Sequence, residues 1–82
     1  MLETVKLALR IKSDAFNNEL LALINAAKDD LLRSGVEELN TDLYNLAVIT
    51  FCRANFGDNE KSKQLLELYD KQKSMMIITG ED

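Results

Sequence analysis

The chain has 82 residues, a formal net charge of −4, 46% hydrophobic residues and no proline. A chain of this length forms one domain and buries only about 60–65% of its unfolded surface, so association with a partner would add useful stability. The composition favours a compact helical protein over a disordered one. The acidic balance, with ten dispersed Lys and Arg residues, argues against a nucleic-acid-binding face.

Reactive side chains are scarce in this sequence. The chain has no histidine and a single cysteine, Cys52, which removes the commonest general base, a structural zinc site and an intramolecular disulfide. Cys52 is predicted to be a buried small hydrophobe. Adjacent carboxylates, such as Asp29–Asp30 and Glu37–Glu38, point about 100° apart on a helix and are interpreted as surface charges and caps. We therefore expect no enzymatic activity, no metal and no cofactor.

The sequence predicts neither a targeting segment nor a membrane span. No basic segment precedes an apolar run at the N-terminus, and no apolar run approaches the about 20 residues that a bilayer span requires. The expectation is an intracellular protein without membrane contact.

The chain begins with a predicted short helix of about two turns, in which Leu2, Val5 and Leu9 share one face. A break follows, because the apolar periodicity stops there. Ser13 or Asp14 is expected to cap the next helix by accepting hydrogen bonds from its free N–H groups.

The second predicted helix has the clearest periodicity in the sequence. Its apolar residues have the spacing of one helical face: Phe16, Leu20, Leu23, Ile24, Ala27 and Leu31. Gly35 is expected to end this helix, because glycine adopts the left-handed C′ conformation without steric cost. Asn40 or Thr41 is then expected to cap the third helix.

The third helix, residues 43–56, is predicted to be the centre of the fold. Apolar residues fill ten of its fourteen positions, and a helix that is apolar nearly all round is buried from several sides. Gly57 is expected to end it.

The fourth helix is predicted to begin within residues 60–62, after a cap at Asp58 or Asn59. Its core stripe comprises Leu65, Leu68, Tyr69 and Met76, widened by Leu66 and Met75. Its charged residues, Lys73 among them, are interpreted as a solvated face. We expect the helix to fray near Met76 and a flexible tail to follow from about residue 77.

These elements predict an all-α fold, a compact four-helix domain over residues 1–82 with one short N-terminal helix and three longer helices around a buried third helix. A helix-turn-helix DNA reader is an alternative for a small all-α chain. The third helix is too apolar to lie in a groove, however, and acids offset the lysines of the fourth. A small helical interaction module or regulator remains open.

The order of these features resembles the head–tail connector (adaptor) family of tailed phages and prophages. The resemblance covers nearly the whole chain and includes the opening residues 1–6, the Glu19–Lys28 segment of the second helix and the apolar helix from Leu46. The most similar part is the stop of that helix at Asn55-Phe56-Gly57, which an acidic turn follows.

The resemblance implies a structural virion protein without enzymatic activity. Members of the family form a ring between the portal protein and a tail-completion or stopper protein, and the ring extends the DNA channel. The resemblance therefore implies self-association, location in the virion neck after assembly in the host cytoplasm, and no sequence-specific nucleic acid binding. The candidate portal or subunit interface comprises Tyr69, Met75, Met76, Ile77 and Ile78, and a role in covering the core is the alternative for these residues.

Overall fold

The computed structural model describes residues 1–37, 41–57 and 60–80, with side chains in the last helix as far as Ile77. Within these ranges the chain forms four α-helices and no strand: α1 (Leu2–Leu9), α2 (Asn17–Arg33), α3 (Asp42–Asn55) and α4 (Ser62–Gly80). A single 3-10 turn, Asp14–Phe16, precedes α2. The predicted all-α four-helix fold is confirmed.

The third helix is central, as the sequence predicts. α3 packs against α1, α2 and α4, and its buried side chains point in several directions around the helix: Tyr44, Ala47, Val48, Thr50, Cys52 and Ala54. The one hydroxyl in this set is satisfied within the helix, because Thr50 Oγ1 donates to the Leu46 carbonyl at 2.9 Å. α3 therefore lies at the centre of the core and contacts each of the other helices.

The second helix contributes its predicted stripe to the same core. Leu20, Ile24, Ala27 and Leu31 are buried, and Leu23 is partly buried against them. Phe16 is 44% exposed and packs edge-on against Phe56, with ring centroids 5.4 Å apart. The period of the apolar residues thus correctly identifies the buried face of α2.

Helix caps follow the sequence signals in the part of the chain that the structure describes. The Thr41 hydroxyl accepts from the Tyr44 N–H at 3.3 Å, and Gly35 and Gly57 both have positive φ. Ser13 Oγ accepts from the Ala15 N–H at 3.0 Å and so caps the 3-10 turn before α2. The alternative caps at Asn40, Asp58 and Asn59 lie outside the described residues.

The short first helix is fastened by polar contacts as well as by its apolar face. Val5 is fully buried, and Leu2 and Leu9 are partly buried against the core. Lys6 is also buried, and its Nζ donates to Asp14 Oδ1 at 2.7 Å. Arg53 Nη2 on α3 donates to the Ala8 carbonyl at 3.1 Å. These contacts hold α1 against both α3 and the turn that leads into α2.

The fourth helix departs from the prediction in two ways. Its helical residues continue to Gly80, past the predicted end near Met76, because no helix-breaking residue precedes that glycine. The flexibility of the tail from about residue 77 stays a prediction. The predicted stripe is also partly wrong: Tyr69 and Met76 are buried, but Leu68 is 46% exposed and Gln72 is buried instead. The buried positions 69, 72 and 76 follow steps of three and four, which place Leu68 about 100° away from Tyr69.

Candidate interaction surface

The five residues of the predicted interface differ in how deeply the structure buries them. Tyr69 and Met76 belong to the core, and Ile77 is partly buried against it. Met75 is 55% exposed, while the side chain of Ile78 lies outside the described part of the chain. Only Met75 among the described members therefore offers most of its side chain to a partner.

Tyr69 joins α4 to α2 and α3 through both its ring and its hydroxyl. The ring packs edge-on against Phe51 of α3, with centroids 5.2 Å apart. The hydroxyl donates to Asp30 Oδ2 on α2 at 2.6 Å. The same carboxylate oxygen accepts from Lys73 Nζ at 3.1 Å, and that ammonium lies 5.2 Å from the centre of the Tyr69 ring.

Asp30, Tyr69 and Lys73 form a group that we name the Asp30 cluster, and its contacts shift the pKa values of Asp30 and Tyr69. The Tyr69 hydroxyl and, to a lesser extent, the Lys73 ammonium hold the pKa of Asp30 below its usual value, although partial burial opposes them. Burial and the hydrogen bond to Asp30 raise the pKa of Tyr69 far above its usual value. The cluster is therefore an ionised acceptor between two donors, an arrangement that ties helices together.

The contacts of two members of the Asp30 cluster, Asp30 and Lys73, were not predicted from the sequence. Asp30 is interpreted there as a surface charge and Lys73 as part of a solvated face, yet the Lys73 side chain is only 20% exposed. The spacing of Asp30 in the sequence could have indicated its location. Leu23, Ala27 and Asp30 recur at i, i+4 and i+7, which places Asp30 at the edge of the buried stripe of α2.

The chemistry of the described side chains is sparse. Cys52 is fully buried, as predicted, and burial raises the pKa of its thiol to about 11, so the thiolate nucleophile is disfavoured. Among the described residues, no group of three or more His, Cys, Asp or Glu side chains could hold a metal ion. In the same part of the chain, none of the helices has the length and apolar character needed to span a bilayer.

The surface of the four helices carries exposed apolar side chains instead. Leu68 and Met75 lie on α4, Leu32 on α2 and Leu7 on α1, with exposed fractions of 46%, 55%, 61% and 80%. Beside Leu32 a shallow cleft of about 260 Å³ is lined by Lys28, Asp29, Leu32 and Tyr44. Of these four residues Leu32 lies on the cleft, and an exposed apolar group beside a cleft is a candidate contact for another protein.

The fold and this surface define a class of protein: a small all-α protein whose described residues present apolar contact groups and no assembled reactive site. The family model described as "Phage connector protein" matches residues 1–79, nearly the whole chain. The chain belongs to this phage connector family, whose members are structural proteins, and the resemblance found in the sequence is confirmed. No curated protein and no solved structure matches the chain.

Proposed function

We propose that this protein is a head–tail connector subunit that forms a ring between the portal protein and a tail-completion or stopper protein, and that the ring extends the DNA channel in the virion neck. The observation that carries the proposal is the family match over residues 1–79. The match spans all four helices, so the proposal applies to the domain as a whole and not to one motif within it.

The exposed apolar residues support a role in assembly. A chain that leaves Leu7, Leu32 and Met75 more than half exposed reduces its contact with water when these groups meet another protein. The helices also bury a shared core, which keeps these groups in fixed positions. A rigid subunit loses little conformational entropy when it joins a ring.

An acidic subunit suits a channel through which DNA passes. The net charge of −4 disfavours retention of the phosphate backbone by Coulomb attraction. Of the adjacent carboxylate pairs Asp29–Asp30 and Glu37–Glu38, Asp29 and Glu37 are exposed, whereas Asp30 is engaged by Tyr69 and Lys73. Glu38 lies outside the described residues. We propose Asp29 and Glu37 as the channel-facing candidates of this set.

The second candidate function is a small helical interaction module or regulator without a role in the virion. The same exposed apolar groups favour it, because they fit any protein partner with an apolar surface. The two functions differ in the partner and in the geometry of the complex. A connector binds the portal as a closed ring, whereas a module binds one target in a small complex.

A direct test mixes the purified protein with the purified portal protein of the same phage or prophage. We expect a complex of much higher mass in analytical ultracentrifugation and a ring stacked on the portal axis in electron micrographs. A matched control uses a portal protein from an unrelated phage. A protein that stays monomeric with its own portal at micromolar concentrations contradicts the connector function and leaves the interaction module as the better explanation.

A further inference from the structure

The junction between α1 and α2, residues 10–16, is bent without a residue that breaks helices. The chain contains no proline, and no glycine precedes Gly35. Arg10 instead adopts the left-handed conformation with φ 60°, which is costly for a residue with a Cβ atom. The bend therefore strains the backbone at Arg10 and depends on other contacts to hold it.

The other end of the junction is also less favourable than a regular helix. It consists of a single 3-10 turn, Asp14–Phe16, whose hydrogen-bond geometry is poorer than that of an α-helix. Phe16 precedes α2 without a side-chain hydrogen bond that caps the helix, and its side chain is 44% exposed. Asn17 Oδ1 is buried without a hydrogen-bond partner among the described residues.

The apolar residues of α1 and α2 share one helical phase across the junction. Within an arc of about 100°, at 100° per residue, an ideal helix would place Leu2, Val5, Leu9, Phe16, Leu20 and Ile24. Lys12 and Ser13 interrupt this pattern, which resumes in phase after two helical turns. The sequence is therefore compatible with one continuous helix over residues 2–33 as well as with the bent form.

A straight junction would keep the backbone hydrogen bonds of the bend. In the bent form Arg10 N–H donates to the Leu7 carbonyl at 3.2 Å, and Ile11 N–H donates to the Lys6 carbonyl at 2.9 Å. In a continuous helix the same two N–H groups donate to the same two carbonyls in the opposite pairing, each to the residue four positions earlier. Straightening therefore exchanges these partners without losing a bond.

Side-chain contacts of α1 favour the bent form. Lys6 Nζ donates to Asp14 Oδ1 across the junction at 2.7 Å. Eight residues of continuous helix would separate the two positions by about 12 Å, which is too far for this ion pair. The bent form therefore balances strain at Arg10 against the contacts that α1 makes with the rest of the domain.

The surface that holds α1 does not require α1 to come from the same chain. We name this surface the α1 seat: the faces of α2 and α3 that contact α1, including Arg53, which donates to the Ala8 carbonyl. The seat receives the fully buried Val5. A helix that continues α2 along its axis cannot also pack beside α2, so a straightened chain vacates its own seat. The α1 of a second copy has the side chains and spacing that fit it.

We propose that the junction straightens when copies assemble and that α1 of each copy occupies the α1 seat of the next. This inference rests on the proposed ring function and names the element that links neighbouring subunits. Each copy gives α1 to one neighbour and receives α1 from another. Such a contact is heterologous, and its repetition builds a ring when the rotation closes.

The distance between two spin labels within one chain tests the straightening. Leu7→Cys and Leu32→Cys place both labels at exposed positions of one chain, and the fully buried Cys52 is retained. This chain is diluted into excess unlabelled wild type and assembled on the portal protein. In a continuous helix the two positions are about 38 Å apart, whereas α1 packs beside α2 in the bent monomer and the distance is shorter. We expect pulsed electron paramagnetic resonance to show the long distance on assembly. Wild type treated with the same reagent is the matched control and is expected to stay unlabelled.

Labels on different chains test the exchange itself. Chains labelled only at Leu7→Cys are mixed with chains labelled only at Leu32→Cys and assembled on the portal. After subtraction of the signals from rings of either variant alone, we expect the short distance of the bent monomer to reappear between chains. The same mixture, diluted until it sediments as a monomer, is the control and is expected to give no defined distance.

Substitutions in the junction provide a second measurement. Arg10→Gly relieves the left-handed strain of the bent form and weakens a continuous helix, so we expect it to weaken assembly about tenfold. Arg10→Lys keeps the charge and the Cβ atom and is expected to assemble like wild type. Tighter assembly by a folded Arg10→Gly variant would count against the straightening.

Ser13→Ala acts in the opposite direction. It removes the hydroxyl that accepts from the Ala15 N–H at 3.0 Å in the bent form, and alanine favours a continuous helix. We expect it to strengthen assembly about threefold or more. Ser74→Ala, a change at an exposed position of α4, is the matched control and is expected to have little effect. Weaker assembly by Ser13→Ala would contradict the proposal.

The outcomes distinguish this exchange from the function on which it rests. A ring on the portal whose chains keep the short distance within each chain overturns the exchange and leaves the connector function standing. A long distance within each chain without the short distance between chains also overturns the exchange. A wild-type protein that forms no complex with its portal overturns the connector function, and the exchange with it. The long distance within chains together with the short distance between chains supports both.

Discussion

A single carboxylate on α2 determines how α4 is fastened on that side of the molecule. Asp30 Oδ2 accepts from Tyr69 at 2.6 Å and from Lys73 at 3.1 Å. Both donors need an acceptor, because Tyr69 is buried and the Lys73 side chain is only 20% exposed. A buried donor that loses its partner costs more than the hydrogen bond itself contributes. Asp30 therefore matters more than its exposed neighbour Asp29.

Replacement of Asp30 by asparagine is expected to lower the free energy of unfolding at pH 7 by about 1 kcal/mol. The value is below the about 1.5–3 kcal/mol of a typical charged hydrogen bond, because the Asp30 side chain is 42% exposed and partly screened by water. Urea unfolding followed by circular dichroism measures it. Asp29→Asn is the matched control and is expected to change stability by less than about 0.5 kcal/mol.

The effect of Asp30→Asn on the free energy of unfolding is expected to depend on pH. The pKa of Asp30 is lower in the folded protein than its ordinary value. Its contribution is therefore complete above the unfolded pKa, about 3.9, and is lost as the pH falls through the folded pKa. The stability difference between wild type and Asp30→Asn should be constant from pH 7 to about pH 5 and should shrink in stronger acid. A difference of the same size at pH 7 and pH 2.5 would contradict this role of the carboxylate.

At the scale of helices, α1 and α2 end in the same hydrogen-bond motif with different residues. At the end of α1, Ile11 N–H donates to the Lys6 carbonyl and Arg10 N–H to the Leu7 carbonyl. At the end of α2, Val36 N–H and Gly35 N–H make the equivalent bonds to Leu31 and Leu32. Both ends are Schellman motifs. The left-handed position is occupied by Arg10 with φ 60° in the first motif and by glycine in the second.

Substitutions at these two equivalent left-handed positions are expected to change the stability of the protein in opposite directions. Arg10→Gly removes a side chain from a left-handed residue and is expected to stabilise the protein by about 0.5–1 kcal/mol. Gly35→Ala is expected to destabilise it by about 1 kcal/mol. The cost at Gly35 is conformational, because a Cβ there would meet no atom within 4 Å. Thermal and urea unfolding measure both changes, and a loss of stability in Arg10→Gly would contradict the argument.

The helices themselves could be predicted from the sequence because their signals are local. The periodicity of α2, the nearly continuous apolar character of α3 and the stops at Gly35 and Gly57 each depend on neighbouring residues only. The left-handed residue at the end of α1 is Arg10 and not a glycine. The Schellman motif there therefore could not be predicted from the sequence. The buried lysine, Lys6, also has no local signal, because its partner Asp14 lies eight residues along the chain.

The buried face of α4 could not be predicted reliably for a different reason. Its sequence contains more apolar residues than one face can hold, so hydrophobicity alone does not select between Leu68 and Gln72. Gln72 is the buried one of the two, and its Oε1 atom lacks a hydrogen-bond partner among the described residues. The exposed Leu68 and Met75 follow from that choice. The candidate interaction surface thus depends on tertiary packing, whereas the function class came from the family resemblance.

At the scale of the whole molecule, the C-terminal part of α4 belongs both to the core and to the candidate surface. Met76 is 8% exposed and its neighbour Met75 is 55% exposed. Removal of the chain after Ser74 would therefore delete a core residue together with any interface residue. It cannot distinguish a loss of folding from a loss of partner binding. Separate substitutions of the two methionines can.

Met76→Ala is expected to lower the free energy of unfolding by about 2–3 kcal/mol, because it leaves a cavity in the core. Met75→Ser is expected to change it by less than about 0.5 kcal/mol and to weaken assembly on the portal. Urea unfolding gives the first quantity, and sedimentation with the portal protein gives the second. Normal assembly by a folded Met75→Ser variant would remove Met75 from the candidate interface, whatever Met76→Ala does.

Assembly should also contribute directly to the stability of this small domain. Eighty-two residues bury a modest core, and binding to the native state alone stabilises it by about 2.7 kcal/mol when the partner is present at 100 times the dissociation constant. For a domain of this size, that free energy corresponds to a rise of about 10–20 °C in the midpoint of thermal unfolding. Differential scanning fluorimetry with a dye reports the midpoint at increasing portal concentrations, after subtraction of the portal signal. Met75→Ser is the matched control, expected to unfold at the wild-type temperature alone and to gain less from the portal. A wild-type midpoint that is independent of portal concentration would contradict stabilisation by assembly.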